Sequence, residues 1–212
     1  MKIGIVGMGW VGSSVAISTL HTGIATELLV HDITTAVAQG EALDLAQGAS
    51  FYPTANVRPA SLDEMTDADA VVISAGRGGR PGENRLDLRR ENAAIVHSIA
   101  TQLTRLRGLL VIVTNPVDVM THIAAEASGL HPAHVIGTGT MLDTARLRQV
   151  LGRELSLDSR AIHAHVIGEH GDSEVVLWSA ARVGGGALRQ WPGWSREKEL
   201  GAQASSRLSN RK

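Results

Sequence analysis

Short runs rich in β-branched and other apolar residues recur at positions 3–6, 28–30, 70–74, 109–113 and 134–136. Runs this short, and apolar throughout rather than alternating, suit strands covered on both faces, as in a parallel sheet. The segments between them carry helical periodicity. Over 85–106, Ile95, Ile99, Leu103 and Leu106 recur at steps of three and four, which lays one apolar stripe against the sheet and leaves Arg89, Arg90 and Gln102 in water. Strand alternating with helix predicts an α/β, doubly wound parallel sheet. Asn56-Val57-Arg58, bracketed by Pro53 and Pro59, is a weaker extended piece that would complete the first half of that sheet.

After about residue 142 the pattern changes. A helix is predicted over 143–151, a strand over 161–167 and a further apolar segment over 175–183. Gly184-Gly185-Gly186 and Trp191-Pro192-Gly193-Trp194 read as loops, and Ser195 as the N-cap of a helix over 195–204. The expected organisation is one domain over 1–142 and a partial second domain over 143–212. The polar stretch 205–212 has little to bury. A length of 212 residues fits this, holding one full core and part of another.

Charge and composition remove several function classes. With 20 basic against 21 acidic residues and a formal charge of -1, the chain has no field suited to a nucleic acid or an anionic membrane. The absence of cysteine excludes a disulfide scaffold, a thiolate zinc site and a cysteine nucleophile. No segment approaches about 18 uninterrupted apolar residues, and Met1 leads straight into a strand-like run without a leader. The expectation is a soluble, cytoplasmic protein without a membrane or nucleic-acid partner.

Gly7-Met8-Gly9-Trp10-Val11-Gly12 follows the first strand and opens a helix. In that setting Gly7 permits a tight turn, Gly9 lets backbone approach a pyrophosphate, and Gly12 lets helix and strand pack closely. Asp32 lies 20 residues beyond Gly12, at the end of the second apolar run. A carboxylate there accepts from ribose hydroxyls and repels a 2′-phosphate, which selects NAD over NADP. Aspartate at a strand end is also an ordinary turn residue, so the reading rests on strand, spacing and acid together. The bulk of Trp10 beside a phosphate site has no explanation in the sequence.

Four further strings follow strand ends: the glycine-rich loop 75–85, Thr114-Asn115-Pro116-Val117-Asp118, the stretch 137–146 containing Leu142-Asp143-Thr144-Ala145-Arg146, and Gly168-Glu169-His170-Gly171-Asp172-Ser173. Together with the glycine fingerprint, in this order, they resemble the L-2-hydroxyacid dehydrogenases, the lactate and malate dehydrogenase superfamily, from the first strand to about Val183. The resemblance implies a Rossmann doubly wound sheet followed by an α+β catalytic domain, here incomplete, and hydride transfer between NAD and a 2-hydroxy or 2-oxo acid. It also implies roles: His170 as acid/base, Asp143 as its partner, Arg146 as anchor of the substrate carboxylate, Arg85 as a mobile-loop arginine, and Asn115 as a contact to substrate and nicotinamide. A homo-oligomer, dimer or tetramer, is implied by the same analogy.

The chemistry suits these residue types. Oxidising a secondary alcohol needs a base at the hydroxyl and the reverse needs an acid at the same atom; a histidine titrating near neutrality serves both directions. A carboxylate on the other ring nitrogen fixes the tautomer and favours imidazolium. A guanidinium grips a carboxylate bidentately, as a lysine cannot. A second cation, arriving on a loop hinged at Gly78, Gly79 and Gly82, would polarise the carbonyl in a water-poor site. Asp143 and Arg146, at i and i+3, also fit a plain helix ion pair. His163, His165 and His170 lie close in sequence, but no further ligand at helical spacing completes a metal site, and none is expected.

Two departures from the family stand out. Its members carry glutamine in lactate enzymes or arginine in malate enzymes six residues before the loop arginine; here that position is Gly79, with Arg80 beside it as a second substrate contact. The strings around Asp143 and His170 tilt the expectation towards L-lactate/pyruvate, with malate or a branched 2-hydroxy acid such as 2-hydroxyisocaproate as alternatives. Family members also continue further, and the resemblance fades near Gln203. The expectation is therefore a C-terminally truncated chain, for which an NAD-binding fragment without turnover is the reading of a different class.

Overall fold

Six parallel strands form the first unit of the chain, in the order β3-β2-β1-β4-β5-β6. The computed structural model describes residues 1–53, 55–79, 82 and 84–208, with Arg85, Arg207 and Leu208 described by backbone alone. Along the chain run β1 (Lys2–Val6), α1 (Trp10–Thr22), β2 (Glu27–His31), α2 (Thr35–Gln47), β3 (Asn56–Pro59), β4 (Ala70–Ile73), α3 (Arg85–Ala100), β5 (Leu109–Ile112), α4 (Val117–Ser128) and β6 (Val135–Gly137). The Asn56 segment is thus a strand, and its Pro59 sits on the sheet edge, where a missing N–H costs no ladder bond.

Side-chain alternation explains why these strands read as continuous apolar runs. Ile3, Ile5, Leu28 and Val30 enter one core with Ala16 and Leu20 of α1 and Ala42 and Leu45 of α2. Their neighbours Val6 and Leu29 enter the opposite core with Val96 of α3 and Met120 and Ala124 of α4. Both faces are therefore covered. Strand order reverses between β1 and β4, so the loops that follow these two strands flank the switch point at which open α/β sheets bind ligands.

The third helix is shorter than the expected 85–106. It stops at Ala100 because the next amides, Gln102 and Leu103, bond back three residues to Ile99 and Ala100, tightening the chain out of the α-helix. Its buried stripe is also shifted: Asn92, Val96 and Ala100 are buried on α3, Ile95 and Ile99 only half so, while Leu103 and Leu106 reach the core from beyond the helix end.

The chain divides between Gly137 and Thr138, slightly ahead of the 142/143 boundary read from sequence, since the helix bearing Asp143 begins at Met141. The second unit contains α5 (Met141–Leu155), β7 (Ile162–His163), β8 (Val166–Ile167), β9 (Val175–Val176), β10 (Arg182–Val183), β11 (Gly186–Ala187) and α6 (Arg196–Leu208). The single strand expected over 161–167 is two: β7 pairs with β10, and β8 with β9. Helix α5 causes the break. Thr144 Oγ1 accepts the Val166 N–H at 2.9 Å, Thr140 Oγ1 donates to the Val166 carbonyl at 2.6 Å, and Arg148 Nε donates to the Ala164 carbonyl at 3.0 Å. The segment 175–183 is interrupted by a 3-10 turn at Trp178–Ala180.

Ser195 caps α6, its hydroxyl oxygen accepting the Lys198 N–H at 3.3 Å. This helix runs past the expected end at 204, packs on α5 and buries Ala202 and Ser206, so part of the polar ending does find a core. Arg189 fixes it with two N–H bonds to the buried Glu199 carboxylate, at 2.8 and 3.1 Å. No helix among the described residues is long and apolar enough to cross a membrane.

The Arg189 guanidinium holds the Glu199 carboxyl below its ordinary value of 4.5. A lowered folded value contributes stability above the unfolded value and loses it as pH falls through the folded one. Glu199→Gln should therefore melt below wild type at neutral pH, with the gap closing below about pH 4. Thermal unfolding followed by circular dichroism across this range checks it; a gap independent of pH would contradict the assignment.

Candidate active site

The glycine turn after β1 is crowded at Gly7 and Gly12, where a side chain has no room. Gly7 adopts a positive φ of 95° and donates its N–H to the His31 carbonyl at 2.8 Å. A Cβ at Gly12 would strike the Gly7 carbonyl oxygen. At Gly9, in contrast, a Cβ would meet nothing within 4 Å, which leaves an open cradle in front of the first turn of α1. Gly9 is the N-cap and provides no side-chain bond, so the leading amides of α1 remain available for a phosphate group. Asp32 closes the cradle: Oδ2 accepts the Met8 N–H and Oδ1 the Thr34 N–H, each at 2.9 Å. Each carboxylate oxygen has a second lone pair with which to meet a ribose hydroxyl. Trp10 is 94% exposed and therefore does not fill the turn. The residues present fit a dinucleotide.

Beyond β4 and β5 the loop roots are tied together by a residue that sequence patterning had not singled out. Asn92, 5% exposed on α3, accepts the Arg77 N–H at 2.7 Å and donates to the carbonyls of Arg77 at 3.2 Å and Asn115 at 3.4 Å. One buried amide thus holds the start of the glycine-rich loop and the turn carrying Asn115, whose bond to Pro116 is cis. Thr114 Oγ1 adds a bond to the Ala75 carbonyl at 2.7 Å. A polar residue on an otherwise buried helix stripe is the signal that identifies Asn92. Asn115 and Gly79 are exposed. Arg80 and the side chain of Arg85 lie outside the described residues; the backbone of Arg85 opens α3, capped by Asn84, whose Oδ1 accepts the Leu86 N–H at 2.9 Å.

In the second unit the structure brings Asp143, Arg146 and His170 together. Asp143 is 2% exposed on the first turn of α5. Its Oδ2 accepts the His170 Nδ1–H at 2.5 Å, and its Oδ1 accepts an Arg146 Nη1–H at 3.2 Å. The helix ion pair and the carboxylate–imidazole contact therefore coexist on the two oxygens of one buried carboxylate. A proton on Nδ1 follows from the acceptor opposite it. His170 and Arg146 are each about a quarter exposed or less, so one side of the cluster reaches solvent. Its register depends on the Thr140 and Thr144 bonds to Val166, which pin α5 beside the strand leading to His170. Gly168, with φ of 95°, turns the chain between that strand and the histidine.

Among the described residues, the three histidines considered from sequence do not gather around His170. Instead Glu174, also buried, joins it: one ligand atom from each of Asp143, His170 and Glu174 lies within 4.8 Å of the others. Local spacing had no means of signalling this, because α5 and the 168–174 loop converge only in three dimensions.

A model of the lactate/malate dehydrogenase NAD binding domain matches residues 1–137, and one of the lactate/malate dehydrogenase alpha/beta C-terminal domain matches 140–200. L-lactate dehydrogenase 2 of Lactococcus lactis is 42% identical over 99% of this chain and 67% of its own length. L-lactate dehydrogenase 2 of Enterococcus faecalis is 47% identical over 86% of this chain and 59% of its own. Among solved structures, the ligand-bound minor L-lactate dehydrogenase of Enterococcus mundtii has a TM-score of 0.93 at 35% identity, covering 98% of this chain and 68% of that one. The chain thus spans about two thirds of the length of the Lactococcus relative, and the likeness continues beyond Gln203, where the motifs alone had run out.

Asp32→Ala should narrow a preference for NAD over NADP by about tenfold, the effect of roughly 1.4 kcal/mol of removed repulsion. Fluorescence titration with both reduced cofactors checks this, and an unchanged affinity ratio would contradict it.

Proposed function

The chain belongs to the lactate/malate dehydrogenase family, and we propose that it interconverts pyruvate and L-lactate, with His170 exchanging the proton at the substrate oxygen and Arg146 holding the substrate carboxylate. It is an NAD-dependent oxidoreductase of the lactate dehydrogenase type; the cofactor, when bound, supplies or takes the hydride. The observation that supports the residue roles best is Asp143, whose two oxygens meet His170 and Arg146 at 2.5 and 3.2 Å.

Reduction adds a hydride to the carbonyl carbon of pyruvate and a proton to its oxygen. With Nδ1–H directed to Asp143, Nε2 is the nitrogen that gives this proton. The buried carboxylate stabilises the imidazolium before transfer and keeps the ring in one tautomer afterwards. Arg146 presents five N–H donors in a planar fork, so its bond to Asp143 orients the group while further donors grip the substrate carboxylate in two places. That grip fixes which face of the carbonyl carbon receives the hydride. Asn115 adds a polar contact to substrate and nicotinamide, Arg85 a second cation at the carbonyl, and Gly79 with Arg80 the side-chain specificity. The glycine cradle and Asp32 hold the pyrophosphate and ribose of NAD.

The reading includes a cytoplasmic homo-oligomer, a dimer or tetramer. Trp10, Leu43 and Phe51 are large apolar side chains exposed on the first unit, and exposed apolar groups favour association. Light scattering tests this.

His170→Ala should abolish NADH consumption with pyruvate while NADH affinity stays within about twofold, since an acid/base residue contributes to turnover rather than to cofactor binding. Assays with oxaloacetate and 2-oxoisocaproate beside pyruvate decide the substrate. NADH binding without turnover of any of the three by the wild-type chain would contradict the proposal.

A further inference from the structure

Pairing between β4 and β5 ends where the Val113 N–H meets the Ile73 carbonyl at 2.9 Å. Beyond that point the two chains part into the loops that bear Arg77 and Asn115, and side chains take over from the ladder. Thr114 Oγ1 donates to the Ala75 carbonyl, and a step further Asn92 reaches in from α3. Its amide is used in full. The oxygen accepts the Arg77 N–H at 2.7 Å, and the two N–H groups go to the carbonyls of Arg77 at 3.2 Å and Asn115 at 3.4 Å, an orientation that sets donor against acceptor at every contact. A Cβ at Gly76 would stand 2.8 Å from Thr114 Cγ2 and 3.4 Å from Asn92 Oδ1, so the three segments meet with no space to spare. The Arg77 side chain is held as well, its Nε donating to Glu91 at 2.6 Å, so adjacent residues of α3 fix both backbone and side chain at position 77.

We propose that Asn92 is a positioning residue for substrate binding: by holding the Asn115 carbonyl from inside the core, it sets where the exposed Asn115 side chain meets substrate and nicotinamide. The proposal rests on the reading of Asn115 as that contact. Among the described residues, no hydrogen bond fixes the Asn115 side chain itself. Its direction therefore follows from its backbone, and hydrogen bonds to a ligand weaken steeply when donor or acceptor is misaligned. The rest of the first unit does not depend on this amide. Val96 of α3 packs with Leu110, Ile112 and Val117 in one apolar core, which keeps helix and strand together. The cofactor cradle is held separately, by Asp32 on the Met8 and Thr34 amides. Loss of Asn92 should thus fall on the substrate end of the site and spare the pyrophosphate end.

The test is a double-mutant cycle on binding of oxamate, a non-reacting amide analogue of pyruvate, to the NADH-loaded chain, read by quenching of NADH fluorescence. Wild type, Asn92→Ala, Asn115→Ala and the double variant are compared. Asn92→Ala should weaken oxamate binding by about tenfold, with NADH affinity within about twofold of wild type. In the Asn115→Ala background the same change should cost at most about twofold more, because the side chain it positions is gone. Where Asn92→Ala does not fold, Asn92→Ser, which keeps a hydroxyl but is too short to reach both loops, takes its place. Unchanged oxamate affinity, NADH affinity that falls in parallel, or the full loss persisting on Asn115→Ala overturns the role of Asn92. Asn115→Ala separates this from the foundation. Weak oxamate binding by that variant beside any of these three results overturns Asn92 alone, whereas oxamate binding as tight as wild type, or a wild type that binds NADH but no oxamate, overturns the reading of the site beneath it.

Discussion

The contact between Asp143 and His170 is the constraint on which the chemistry of this chain depends. A carboxylate this deeply buried loses most of its hydration, and only close donors offset that loss. Asp143 has one on each oxygen, and both belong to groups proposed to meet the substrate. The interaction that makes the buried charge tolerable is thus the same one that orients the imidazole and the guanidinium. It in turn requires α5 to sit in a fixed register beside β8, which the hydroxyls of Thr140 and Thr144 enforce by bonding to both polar groups of Val166. Hydroxyls that replace ladder partners at one residue leave little freedom for the helix to slide.

The first unit solves a different problem with different means. There the ligand-facing surface is mostly backbone: a glycine turn too crowded for side chains on its inner side and open on its outer side, with Asp32 bonded to the turn by the Met8 amide. Asn92 plays the corresponding part for the two loops that follow β4 and β5, satisfying three backbone groups from inside the core. In both units a buried polar side chain, itself satisfied, sets the geometry of groups that stay accessible. Such an arrangement preorganises a site at the cost of tolerating few substitutions.

Much of the first unit was legible in the sequence because parallel strands covered on both faces must be apolar throughout, as residues 28–30 and 109–113 are, each followed by a polar stretch that leads into a helix. The glycine fingerprint was legible for a steric reason that the positive φ of Gly7 and the crowding at Gly12 make concrete. The second unit was less so. Nothing in the apolar content of 161–167 announces that a helix will supply hydroxyls at Val166 and split the strand in two. The end of α3 was misplaced because Leu103 and Leu106 are as buried as a helical stripe would make them, yet reach the core through tight turns. Glu174 and Asn92 were missed for a common reason: each meets groups from other elements, and sequence spacing reports only on neighbours within one.

The measurement that bears most directly on the account is a crystal structure of the chain with NADH and oxamate, an unreactive analogue of pyruvate. The account predicts the oxamate carboxylate bonded in two places by Arg146 and the amide carbonyl oxygen within hydrogen-bond distance of His170 Nε2, with Nδ1 still on Asp143. An analogue bound with its carboxylate away from Arg146, or with the imidazole turned off Asp143, would contradict it.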